Sequence, residues 1–211
     1  MKPVATIIGD VVGSRSSGSR GKLHARVVTL LDEVNRMLAP STPLRITVGD
    51  EYQGCFATVG QAISATLRLR LLGLPDVDLR HGVGWGGVEI LSDQPRVEDG
   101  PGWWAAREAI EAVAHEQVRA AYRTMRTAYR CANDTAGPDP APVNAALIAR
   151  DALLAAASPR SVSALRGLLS GMTQRQIAKA EGITASAVSQ RIRNDGLASL
   201  VRVDELLGEV G

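Results

Sequence analysis

Ten residues, 133–142, divide this chain: they hold Pro138, Pro140 and Pro142 together with Gly137, Asp134 and Asp139. Proline removes the N–H that helices and sheets use and pushes the residue before it out of the helical region, so such a stretch resists regular structure. It reads as a linker. The chain is therefore expected to fold as two parts, residues 1–132 and residues 143–211.

The first part alternates strand and helix patterns. Val4–Ile8 is a short apolar run ended by Gly9-Asp10, the pattern of a buried strand, and Leu23–Leu38 repeats apolar residues at helical spacing. Leu44–Val48 and Tyr52–Phe56 flank Gly49-Asp50-Glu51 as the arms of a hairpin, and Ala62–Leu72 is helical again. Leu79–Val83 reads as a strand that Gly87–Leu91 continues. From Trp103 to Arg130 no Pro or Gly interrupts the chain, and Val118, Tyr122, Met125 and Tyr129 share a face, which predicts one long helix. The fold class expected is α+β, with a βαββαβ first part and a small all-α second part.

Composition narrows the function classes. At 211 residues and 45% hydrophobic, the chain has the make-up of a globular protein, not of a disordered or fibrous one. Its formal net charge is only +2, so affinity for nucleic acid must come from a local basic patch. Cys55 and Cys131 form no CxxC pair and sit in no zinc-like cluster, which argues against a disulfide framework. No apolar segment reaches the roughly 20 residues that a membrane helix needs, so no membrane partner and a cytoplasmic location are expected.

In the second part, Thr173-Gln174-Arg175-Gln176 fits a capping box. Ile177 and Ala178 then face inward, Gly182 supplies the positive φ of a turn, and Thr184 caps a second helix that buries Val188 and Ile192. This leaves Ala185, Ser186, Ser189, Gln190 and Arg193 facing outward, all short, hydrogen-bonding or cationic. No carboxylate lies between Ile183 and Asn194, as a surface that meets phosphates requires. Thr173, Gln174, Arg175, Thr184 and Arg191 complete the candidate DNA-contacting set. The spacing of Ile177, Ala178, Gly182, Ile183, Val188 and Ile192 resembles the helix-turn-helix of many bacterial regulators. A helical hairpin that only mediates dimerisation, with Leu197, Leu200, Val201, Leu206 and Leu207, is the alternative.

In the first part, Asp10 and Asp50 each follow a glycine, Gly9 and Gly49. A first strand lying beside the hairpin would bring both carboxylates to one divalent ion, and hard oxygen ligands suit Mg²⁺. Ordinary turn chemistry explains a Gly-Asp pair as well. Glu51 is either a third ligand or a solvated turn residue, and Arg15 and Arg20 either reach phosphates or lie in a solvated loop. One of Trp103 and Trp104 is expected in the core and the other exposed. Arg119, Arg123, Arg126 and Arg130 would form a basic stripe on the long helix, or simply a solvated face.

Ile7–Ser14 is similar to the first metal motif of class III nucleotide cyclases, and Thr47–Tyr52 to their second. Leu79–Val88 resembles their glycine-rich strand, and Gly100–Arg107 the helix start that follows it. Taken in order, Gly9-Asp10, then Gly49-Asp50-Glu51-Tyr52-Gln53-Gly54, then Gly100–Glu108 resemble most closely the SatD family. The resemblance implies a palm-like, nucleotide cyclase-like domain, a homodimer, and a nucleotide ligand held by Gly9, Asp10, Gly13, Ser14, Arg15, Gly49, Asp50, Glu51, Trp103 and Arg107, with Mg²⁺ on Asp10 and Asp50. Trp103 stands where cyclases place an Asn, and Ile46 where they place a purine-selecting Lys. A DNA-binding transcriptional regulator that senses a nucleotide is the function expected. An Mg²⁺-dependent nucleotide-processing enzyme localised by its helix-turn-helix is the alternative.

Overall fold

A computed structural model describes residues 2–14, 18–94 and 96–211. Its central strand is β1 (Pro3–Val11), buried on both faces because its apolar run does not alternate with polar residues. Antiparallel neighbours flank it, β3 (Glu51–Phe56) on one side and β4 (Leu79–Gly87) on the other. With β2 (Thr42–Val48) and β7 (Thr127–Cys131) at the edges, the sheet order is β2-β3-β1-β4-β7, β7 running parallel to β4. Successive side chains of a strand point to opposite faces. Ile7 accordingly packs with α1 (Arg20–Leu38) and α2 (Val59–Gly73), while Ile8 packs with α3 (Pro101–Glu116). The expected order of strand, helix, hairpin, helix and strand is the order found.

Glycines at alternate positions of β4 make the seat for α3. A Cβ on Gly82 would lie 2.1 Å from the Ala106 carbonyl oxygen, and one on Gly84 2.2 Å from that of Gly102, so any larger residue would push the helix off the sheet. The strand runs through these glycines unbroken. Glu89–Asp93, expected as its continuation, is instead β5 of a separate two-stranded hairpin with β6 (Arg96–Asp99).

The single helix expected from Trp103 to Arg130 does not form. α3 stops at Glu116, a short 3₁₀ turn covers Ala120–Tyr122, and β7 then pairs with the outer edge of β4. That edge offers main-chain hydrogen bonds a longer helix would leave unused, and the His81 amide donates to the Arg126 carbonyl at 2.7 Å. Tyr129 is fully buried in the strand, whereas Val118 and Tyr122, read as the inner face of the helix, are 86% and 42% exposed. The basic stripe disappears with the helix: Arg126 pairs with Asp78 and Arg130 lies on β7.

Five helices follow: α4 (Pro140–Ala156), α5 (Pro159–Leu169), α6 (Gln174–Glu181), α7 (Ala185–Asn194) and α8 (Leu197–Gly208). α4 begins inside the proline-rich segment, with Pro140 in its first turn, where a missing N–H costs nothing, and Asp139 accepting from the Ala141 amide. Cores are shared across that segment. Val143, Leu147 and Leu207 join the core beneath the sheet, and Leu67 and Leu71 of α2 pack with Leu165, Ile177, Val188 and Leu200. A buried ionic knot adds to this: Asp151 of α4 pairs with Arg70 and accepts from the Arg126 and Thr127 amides, both at 2.7 Å. Arg150, with no exposed surface, donates to the Ile63 carbonyl and to the hydroxyls of Thr66 and Thr127. Among the described residues, no helix is long and apolar enough to cross a membrane.

Candidate functional site

Where β1 ends, the hairpin turn between β2 and β3 bends over it. Gly49 takes φ +64° there, and Asp50 accepts from the Val11 amide at 3.2 Å, which brings the two Gly-Asp segments together. Asp10, Gly13, Ser14, Asp50 and Glu51 border one cavity of about 420 Å³ with Arg80. Next to it, Ser14 and Asp50 also line a cavity of about 350 Å³ with Arg20 and His24 from the first turns of α1. That helix has no acidic residue in its first turn, and its N-cap Ser19 makes no side-chain capping hydrogen bond among the described residues, so its N-terminus presents positive potential beside the cavity. Gly9 is buried in β1 and Arg15 lies outside the described residues.

Arg80 dominates the electrostatics of the cleft. Its guanidinium donates to both oxygens of Asp10, at 3.0 and 2.6 Å, and to the Gln117 side chain at 3.2 Å. Glu51 is held the same way, both oxygens accepting from Arg107 at 2.7 Å, and this pairing raises the Arg107 pKa. Formal charge from Asp10, Asp50 and Glu51 is thus largely cancelled by Arg80 and Arg107. As arranged, the side chains do not fit a divalent ion: Asp10 is fully engaged by a cation, and among the described residues no group of three His, Cys, Asp or Glu side chains converges. Mg²⁺ would have to displace Arg80. The arrangement can instead present arginine donors and a helix N-terminus to an anionic ligand.

Trp103 is 7% exposed and packed against Ile8, Cys55, Ala106 and Ile110, away from both cavities, so stacking on a base is not open to it. Trp104 is the exposed one, at 58%, its ring N–H donating to Asp99. Beneath the cleft, Tyr52 and His81 share a buried hydrogen bond of 2.6 Å. Burial, with Arg70 and Arg150 nearby, holds His81 well below the usual imidazole range, so it stays neutral.

Nearer the C-terminus, the capping box at Thr173 is complete, with Gln176 returning to the Thr173 amide. Gly182 takes φ +66° between the helices, and the Thr184 hydroxyl caps α7 by accepting from the Ala187 amide. Thr173, Gln174, Arg175, Thr184, Ala185, Ser186, Gln190 and Arg193 are exposed, and Ser189 is half-buried. Arg191 is committed elsewhere, bound to Glu181 at 2.7 Å and so tying α7 to α6. Val188 and Ile177 anchor the pair in the core.

Sequence reasoning missed Arg80. The signal was there: Asp10 and Arg80 are direct cross-strand partners in the β1–β4 register, and opposite charges at such positions attract. Of the two places open to Arg20, the structure puts it at the start of α1 on the cavity wall, and His24, to which the sequence assigns no role, lines the same wall.

No curated protein sequence matches the chain. Among solved structures it is similar to the monomeric guanylyl cyclase domain of the RhoGC fusion protein from the aquatic fungus Blastocladiella emersonii, at 15% identity over 52% of this chain and 75% of that one, with a TM-score of 0.41. It is similar also to the adenylyl cyclase CyaB from P. aeruginosa, at 14% identity over 50% of this chain and 69% of that one, TM-score 0.41. A bacterial light-regulated adenylyl cyclase is similar at 13% identity over 61% and 77%, TM-score 0.44. The family model described as the SatD family matches residues 4–207, nearly the whole length, and the chain belongs to that family.

Proposed function

We propose that this protein is a DNA-binding regulator, reading DNA through α7 and holding a nucleotide or related phosphate ligand in the cleft around Asp10, Asp50 and Arg80. One observation carries the reading. α7 is capped at its start, anchored by Val188, and turns an exposed face free of carboxylates to solvent, with Ser186, Gln190 and Arg193 on it. Such a face is chemically suited to the major groove, and the short α6 packed behind it suits a supporting helix. In this reading residues 1–132 bind the ligand, residues 143–211 bind DNA, and 133–142 connect them. A homodimer fits the reading, because paired reading helices reach two half-sites and Ile90, Leu91 and Val97 of the β5–β6 hairpin leave apolar surface exposed. The free thiols of Cys55 and Cys131 suit a reducing, cytoplasmic setting.

The test is retardation of a labelled fragment of the protein's own promoter, across a salt series, with and without nucleoside triphosphates. Salt-sensitive retardation that nucleotide alters supports the reading, and its absence under all conditions removes it.

A second reading, a nucleotide-processing enzyme in which Mg²⁺ enters only by displacing Arg80 from Asp10, draws on Asp10 and Asp50 bordering one cavity. Incubation with each nucleoside triphosphate and Mg²⁺, followed by chromatography, separates the two: turnover lost in Asp50→Ala supports the enzyme, and intact nucleotide supports the sensor.

A further inference from the structure

Where the end of α2 meets the corner between α4 and α5, a cavity of about 290 Å³ opens that belongs neither to the cleft nor to the α7 surface. Arg70 lines it from α2, Asp78 and Arg126 from the residues just before β4 and β7, and Arg166 from α5, while Leu74, Leu154 and Val162 supply apolar wall. The charges do not balance. Asp78 neutralises Arg126 at 2.7 Å, but Asp151 is shared by the buried Arg70 and Arg150, which leaves one positive charge in excess. Arg166 donates to the Leu71 and Leu74 carbonyls and, among the described residues, forms no direct ion pair, Asp76 and Glu33 acting on it only at longer range. Arg70 is 3% exposed, and its Nε, like that of Arg150, has no partner among the described residues. Buried guanidinium groups short of countercharge are costly unless something anionic approaches.

We propose that this cavity binds a small organic acid, a carboxylate carried on an apolar body. The carboxylate sits against Arg70 and Arg166, and the body lies on Leu74, Leu154 and Val162. The class follows from the lining, since inorganic phosphate would satisfy the charge but leave the apolar wall wet, and a neutral hydrocarbon would do the reverse. Because one wall comes from α2 and the segments before β4 and β7 and the other from α4 and α5, occupancy braces the helices that lead into α6 and α7. This site stands independently of the nucleotide cleft.

The test uses the full chain, with benzoate and inorganic phosphate as probes, by calorimetric titration and thermal melting. Benzoate is expected to bind saturably, more tightly than phosphate, and to raise the melting temperature. Ala155→Phe, at the exposed rim of the cavity, is expected to abolish benzoate binding while leaving the melting temperature of the unliganded protein in place. Arg166→Gln is expected to weaken it about tenfold, and Arg166→Lys less. Absence of saturable benzoate binding to the unaltered protein, phosphate binding the more tightly, or benzoate affinity unchanged in both Ala155→Phe and Arg166→Gln would each overturn the proposal.

Discussion

Arg80 faces Asp10 across the β1–β4 pair and holds both of its carboxylate oxygens, Nε at 3.0 Å and Nη2 at 2.6 Å. In a cleft bordered by three carboxylates, this guanidinium stands where a metal ion would otherwise supply positive charge. Arg80→Met should therefore release Asp10 to act with Asp50 as a ligand pair. Calorimetric titration with Mn²⁺ is expected to show weak or no binding to the unaltered protein and clear binding to the variant. Stability should fall by about 1–3 kcal/mol, because Asp10 is left half-buried without its partner.

Gly9 lies against the ring of Tyr52, and a Cβ there would come within 2.3 Å of it. Gly9→Ala should displace Tyr52 and break its hydrogen bond to His81, at a cost of about 1–3 kcal/mol as in other overpacked cores. A lower urea midpoint with an unchanged slope is the expected result.

His81 carries a sign that can be worked out. Its native pKa lies well below the ordinary 6.5 because it is buried near Arg70 and Arg150, so between those two values the unfolded chain binds a proton that the folded chain refuses. Stability is full above pH 6.5 and declines as pH falls below it. In His81→Phe that decline should shrink, even though the variant is less stable at every pH. Urea midpoints taken on each side of pH 6.5 for both proteins measure it.

Asp151 carries the countercharge for Arg70 and lies 3.6 Å from Arg150. Asp151→Asn leaves two buried guanidinium groups facing a neutral amide, and losing one partner of a buried pair costs about 3–5 kcal/mol. The variant should unfold many degrees earlier in a thermal melt, or fail to accumulate as folded protein.

Two arginines only two positions apart on α7 should behave differently. Arg193 is exposed and, among the described residues, bonded only to Ser189 of its own helix, so Arg193→Ala should weaken DNA retardation without lowering the melting temperature. If its contact is a phosphate, the slope of log affinity against log salt should flatten by about 0.9. Arg191→Ala should instead lower the melting temperature, since it leaves Glu181 without its partner.

The sequence made β1, the β2–β3 hairpin, α1 and α2 readable, because each buries a face with its own periodicity and the turns carry their own glycines. The α6–α7 turn was readable for the same reason: Thr173, Gly182 and Thr184 are local signals that the structure uses locally. β7 was not, since nothing in Thr127–Cys131 says that an edge of β4 waits for it, and an unbroken run of helix formers hides the stop at Glu116. Arg150 was invisible for another reason. A charged residue on a helix reads as solvated, and only the meeting of α2, α4 and β7 gives it three acceptors away from water. Asp10 and Asp50 were found from their glycines, but the pairing that decides their chemistry lies seventy residues away at Arg80.

The helices that carry α7 are fastened at both ends. α4 enters through Asp151 and Leu147, and beyond α8 the Val210 carbonyl accepts from the Gly60 amide at 2.7 Å. An element clamped on each side behaves as a lever on a hinge plate, not as a bead on a string. If a ligand does tilt α7, the motion must be drawn from the packing of α2 itself, so small displacements near the sheet would arrive at the tip without slack.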